Sequence, residues 1–124
     1  MKSVLDKKEF LDDLKTLIKI KSVRGDCGEE TASAPLGKGI NDAIEAFLDI
    51  GRRFGFKTKN LDGYCGYIEM GEGEELLGII VHTDTVSSGD GWTYPRLNAQ
   101  LQKTAFSDAV LLMIKGLLFF LFMQ

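Results

Sequence analysis

The stretch Leu77-Gly78-Ile79-Ile80-Val81-His82-Thr83-Asp84-Thr85-Val86 decides how this chain is read, and it holds the only histidine. An apolar, β-branched run that ends in His-x-Asp predicts a buried strand delivering two polar side chains at its end. Alternation along an extended chain puts His82 and Asp84 on one side. That geometry suits a metal-binding imidazole with a carboxylate close enough to fix its orientation. The motif is short, and taken alone it more often marks a strand-end histidine hydrogen-bonded in a core, with Asp84 capping a turn; the surrounding sequence must decide. One histidine and one aspartate are only the beginning of a metal site.

Upstream of this stretch, Phe10, Leu11, Leu14, Leu17 and Ile18 recur at helical spacing within Lys7–Ile20, leaving a charged outer face. Lys21 to Leu36 is small and polar, with Gly, Ser and Pro, and predicts a loop. Asn41 is placed to cap a second helix with Ile44, Phe47, Leu48 and Ile50 facing inward, and Gly51 and Gly55 mark its frayed end. Two extended pieces follow, Phe56 to Leu61 and Tyr64 to Met70. Asp62-Gly63 between them favours a hairpin. Gly71 to Glu75 reads as an exposed turn leading into the strand that ends at His82. The order helix, helix, strand, strand, strand predicts an α/β protein, specifically part of an α/β sandwich.

Downstream, Ser87 to Pro95 is a Gly- and Ser-rich loop with Trp92 and Tyr94, which read as ordinary loop packing. From Ala109 to Met123 the sequence is apolar except at Lys115 and Gly116. Its two runs are each shorter than the roughly 20 residues that span a bilayer. They show neither helical amphipathicity nor strand alternation. The chain has 124 residues, enough for one modest domain or for part of a larger one. A net charge of −3, with Lys and Arg scattered among acidic residues, argues against nucleic acid as a partner. Cys27 and Cys65 form no Cys-x-x-Cys pair, and a disulfide between them has little support. With no apolar signal segment at the N-terminus, the expected location is cytoplasmic, with reduced thiols.

Gly78 to Val86, followed by Gly89-Asp90-Gly91-Trp92, resembles the first zinc motif of the aminoacylase/carnosinase family of di-zinc metallopeptidases. That family includes acetylornithine deacetylase and succinyl-diaminopimelate desuccinylase. Three further segments, Ala34 to Ile40, Gly55 to Asn60 and Gly71 to Glu75, are similar in the same order to its bacterial Xaa-His dipeptidase (dipeptidase V-type) branch. The resemblance covers residues 1–100. It implies the N-terminal part of a zinc-peptidase catalytic domain, acting on dipeptides. It makes His82 a ligand of one zinc and Asp84 the catalytic-site carboxylate that clamps the imidazole, an arrangement that fixes the tautomer and raises ligand basicity. Lys21 and Ser87 stand where members often carry proline, and Arg96-Leu97 replaces a Pro-aromatic pair. None of these departures removes a ligand.

Family members continue with Gly-Arg-Gly-x-x-Asp-Asp-Lys-Gly-Pro, whose aspartate bridges two zincs, then a Glu-Glu pair, another acidic ligand and a final histidine. None of these stands in this chain, so the expectation is a truncated fragment without activity. Residues 101–124 are read as an aberrant, frameshifted tail. Deletion of one adenine from a Gln-Ile boundary reading CAA-ATT, just after Ala99, converts Ile-Thr-Glu-Asn-Gly-Ile-Phe-Gly-Arg-Gly into the observed Leu101 to Val110. In the other frame, permitted codons for Asp108 to Leu117 spell Arg-Gly-Thr-Ala-Asp-Asp-Lys-Gly-Pro, the missing zinc motif in register. The competing reading is a small membrane-associated or partner-binding protein that uses the apolar tail. That tail lacks the basic, amphipathic character of an interfacial anchor, so no membrane partner is expected.

Overall fold

Apolar residues three and four apart build the first half of the molecule. The computed structural model describes residues 7–26 and 28–87, together with the backbone of 101–102 and 105–106. Helix α1 spans Lys7–Lys19 and helix α2 spans Lys38–Arg53. Strands β1 (Lys57–Leu61) and β2 (Cys65–Glu69) form an antiparallel hairpin, in register from Lys57↔Glu69 to Leu61↔Cys65. Two short strands, β3 (Leu101–Gln102) and β4 (Ala105–Phe106), pair with each other. Two helices and a hairpin make this an α/β fragment, as the order of sequence patterns predicts.

Helix α2 packs against both of its neighbours. Ile40, Ile44 and Leu48 form one buried cluster with Leu36 and with Ile68 of β2. Leu17 of α1 meets Ile50 of α2 in a second cluster, flanked by Phe10, Phe47 and Phe54. At the rim of the helix pair, Arg53 of α2 makes ion pairs with Glu9 and Asp13 of α1. Such pairs at the rim mainly fix orientation, while the apolar clusters supply most of the cohesion.

Local chemistry sets the element ends. Gly55 takes a left-handed φ of 80° after the last turn of α2. Its N–H donates to the Arg52 carbonyl (2.9 Å), and Phe56 N–H donates to Gly51 O (3.0 Å), a Schellman closure. In the hairpin turn Asp62 and Gly63 both have positive φ, 54° and 75°, the pair of conformations a tight hairpin requires. Asn60 ties this turn to α2. Its Nδ2 donates to Asn41 Oδ1 (2.9 Å) and Glu45 Oε1 (2.7 Å), while its Oδ1 accepts from Gly63 N–H (2.8 Å).

Three sequence expectations are corrected. Asn41 does not cap α2: the helix starts earlier, at Lys38, with Gly37 at the N-cap and no side-chain cap bond. Asn41 instead lies within the first turns and accepts from Asn60. Gly51 does not mark a frayed end, because it is inside α2, buried beneath Ile68, where a Cβ would stand 2.8 Å from Ile68 Cδ1. The run Leu77 to Val81 is neither a strand nor buried. Leu76, Leu77 and Ile80 are 92%, 87% and 98% exposed. A run apolar on both faces needs neighbours on both sides to bury it. Among the described residues the nearest backbone pairing lies beyond the run, where Val23 and Thr85 form a parallel bridge.

Cys27, Trp92, Tyr94 and the apolar run 109–123 lie outside the described residues, so the expectations that fall on them are not addressed by this structure. Cys65 is exposed and carries a free thiol.

Candidate functional site

His82 and Asp84 are held in place from one side. Ser22, fully buried after α1, donates its Oγ–H to the Thr83 carbonyl at 3.0 Å, and Thr85 N–H donates to Ser22 O at 3.0 Å. These two bonds clamp the backbone on either side of Asp84. The i, i+2 spacing then brings the two side chains to one face, and Asp84 Oδ1 stands 3.0 Å from His82 Nδ1. The Asp84 carbonyl oxygen is 3.2 Å from the same nitrogen. Two acceptors on Nδ1 favour the tautomer that carries its proton there, so the lone pair lies on Nε2. Among the described residues nothing bonds to Nε2. The sequence reading of a same-side pair is met, although the strand expected to deliver it is absent.

The pair lies at the rim of a cleft of about 250 Å³. Its floor is the apolar face of α2, with Ile40, Ile44 and Leu48, and Tyr64 and Cys65 line it from the hairpin side. Arg24 is also in the lining. Neither Arg24 nor Ser22 was singled out from the sequence. Both follow α1 in a polar loop, and their meeting with residues some sixty positions later is a long-range pairing that no local pattern announces.

The described residues supply one oriented imidazole and contain no group of three or more His, Cys, Asp or Glu side chains able to hold a metal ion. A zinc site takes several protein ligands around each ion. The donor set described here therefore fits a single ligand of such a site and does not amount to a site. A second polar depression, lined by Asn41, Glu45, Asn60 and Asp62, is satisfied internally by the Asn60 bonds.

Comparison with known proteins gives this geometry a context. The chain is 37% identical over 99 residues to Putative dipeptidase YtjP of Bacillus subtilis (strain 168). It is 44% identical over 84 residues to Putative dipeptidase of Staphylococcus epidermidis, and 42% identical over 84 residues to a protein of like name in Staphylococcus aureus (strain USA300). The chain is thus similar to one part of proteins named as dipeptidases. The matched part is 77% of the chain but 20% of the Bacillus relative, and 68% of the chain but 18% of the two staphylococcal ones. No protein-family model matches the chain. Among its described residues no helix is long and apolar enough to cross a membrane.

Proposed function

We propose that the chain is the N-terminal part of a zinc-dependent dipeptidase of the Xaa-His branch, and that these 124 residues alone do not hydrolyse dipeptides. The observation that carries this reading is the His82–Asp84 pair, bonded at 3.0 Å with Nε2 open, in a chain homologous to proteins named as dipeptidases. In a complete site His82 would serve as one zinc ligand, and Asp84 would orient its ring. Zinc supplies the polarisation of a peptide carbonyl and of water that the hydrolysis needs. The remaining ligands and the general base are not among the described residues, so no catalytic step is assigned to this chain. Residues 101–124 are read as the product of a shifted frame.

The test has two arms. The purified 124-residue chain, with zinc added, is expected to show no dipeptide hydrolysis, whereas activity comparable to an intact homologue overturns the reading. A gene repaired by restoring one base near codon 100, with downstream sequence present, is expected to hydrolyse dipeptides in a zinc-dependent manner. Sequencing the genomic DNA around that codon separates a real shift from an error in the sequence.

A further inference from the structure

Arg24 is keyed to the same segment that carries His82 and Asp84. Val23 bridges Thr85, and Ser22 before it holds the backbone around Asp84 through its bonds to Thr83 and Thr85. The chain then turns at once. Asp26 N–H donates to the Val23 carbonyl at 3.0 Å, and Gly25 takes a left-handed φ of 81°, as the third position of a type II turn requires. Arg24 is the second residue of that turn, and Lys21 pairs with Asp26 at 2.7 Å beside it. Arg24 therefore follows directly on the bridge to Thr85. It is exposed, and it lines the cleft whose rim carries the His82–Asp84 pair. The carboxylates that share its loop and its cleft are engaged by other groups, Asp26 by Lys21 and Asp84 by the His82 ring.

We propose that Arg24 anchors the free α-carboxylate of a dipeptide in this cleft, and so selects peptides that end one residue beyond the scissile bond. The proposal rests on the dipeptidase reading above. In a dipeptide only the amide nitrogen and the α-carbon separate the scissile carbonyl from the terminal carboxylate. A cation for that carboxylate has to stand in the same small cleft as His82, and Arg24 does. The cleft, about 250 Å³, is smaller than the roughly 300–1,000 Å³ of pockets that take drug-sized ligands, and suits a ligand of dipeptide size. Its floor of Ile40, Ile44 and Leu48 brings no competing charge. A guanidinium stays charged at any working pH and offers a carboxylate two parallel N–H donors, which an ammonium does not. A longer peptide puts a neutral amide at the same place and forgoes the charge-assisted bonds.

The test compares glycyl-histidine with its C-terminal amide, which differ only at the carboxylate. Binding to the 124-residue chain, without added metal, is followed by ligand-observed saturation-transfer NMR. The expected result is a preference for the free dipeptide. Arg24→Ala is expected to weaken that binding about tenfold and to leave binding of the amide unchanged. Arg24→Lys is expected to fall between, because it keeps the charge and loses the paired donors. In the frame-restored enzyme, Arg24→Ala is expected to raise KM for the free dipeptide about tenfold with kcat little changed. Equal affinity of the parent chain for the two ligands, or binding of neither, overturns the proposal. So does an Arg24→Ala chain that still prefers the free dipeptide, and so does an equal loss for both ligands, which marks a merely structural role. An Arg24-dependent preference for the free dipeptide, in a frame-restored enzyme that hydrolyses none, supports the anchor and counts against the dipeptidase reading. Dipeptide hydrolysis indifferent to Arg24 does the reverse.

Discussion

A carboxylate 3.0 Å from a ring nitrogen decides which face of an imidazole is offered to a partner. Asp84 Oδ1 and the Asp84 carbonyl both approach His82 Nδ1, so the lone pair is on Nε2, which has no partner among the described residues. In the frame-restored enzyme, His82→Ala is expected to abolish activity and Asp84→Ala to reduce metal affinity or activity by about 10- to 100-fold, the usual effect of losing an orienting partner. Zinc titration alongside dipeptide hydrolysis measures both, and an active His82→Ala enzyme removes the assignment. A second residue-scale prediction concerns Gly63. It has φ of 75°, and a Cβ there would stand 2.5 Å from the Ser33 carbonyl oxygen, a backbone atom that cannot easily give way. Gly63→Ala is expected to destabilise by about 1–3 kcal/mol from the strained conformation, with the contact adding to it. Urea unfolding of the two proteins side by side gives the difference.

Elements whose signal is local were legible in the sequence, and those that depend on distant neighbours were not. The period of Phe10, Leu14, Leu17 and Ile18 specifies α1 because one helix face alone decides burial. Asp62-Gly63 specifies the hairpin turn because only a few residue types tolerate two consecutive positive φ values. Asn41 misled because a good capping residue is no better than the position the chain gives it. Gly37 precedes the helix, and the amide of Asn41 is occupied by Asn60. Leu77 to Val81 misled because an uninterrupted apolar run states only that burial is favourable, not that a neighbour is available. For the candidate site, the same-side pair was legible from i, i+2 alternation, but the Ser22 clamp was not, since it spans 61 positions. That clamp is testable. Ser22→Ala removes a bond from a fully buried hydroxyl to the Thr83 carbonyl and is expected to cost about 1–3 kcal/mol. Thr85 N–H, which donates to Ser22 O, is expected to exchange faster with deuterium in that variant than in the parent. Unchanged exchange at Thr85 means that the segment is held by something other than Ser22.

At the scale of the whole molecule, three small apolar clusters on α1 and α2 must hold the described fold together. Clusters of two or three fully buried side chains, such as Leu17 with Ile50, remove little apolar surface from water, and domains of this size are marginal even when their core is complete. The surface that completion would bury is instead open, from Leu76 to Val81. A small core and an exposed apolar patch meet at one place: among the described residues nothing covers the run from Leu76 to Ile80. Thermal unfolding of the isolated chain is accordingly expected to be broad and to begin at low temperature. The native chain is expected to bind a hydrophobic dye such as ANS and to lose solubility as concentration rises. Ile79→Asp with Ile80→Asp separates the two features. These side chains are 60% and 98% exposed, so the double variant is expected to bind less dye and remain soluble at higher concentration while its unfolding midpoint stays unchanged. Calorimetry, dye titration and analytical ultracentrifugation on the two proteins make the comparison. A sharp, cooperative transition from a soluble monomer with no dye binding would show that the chain buries its own apolar surface and needs no further layer.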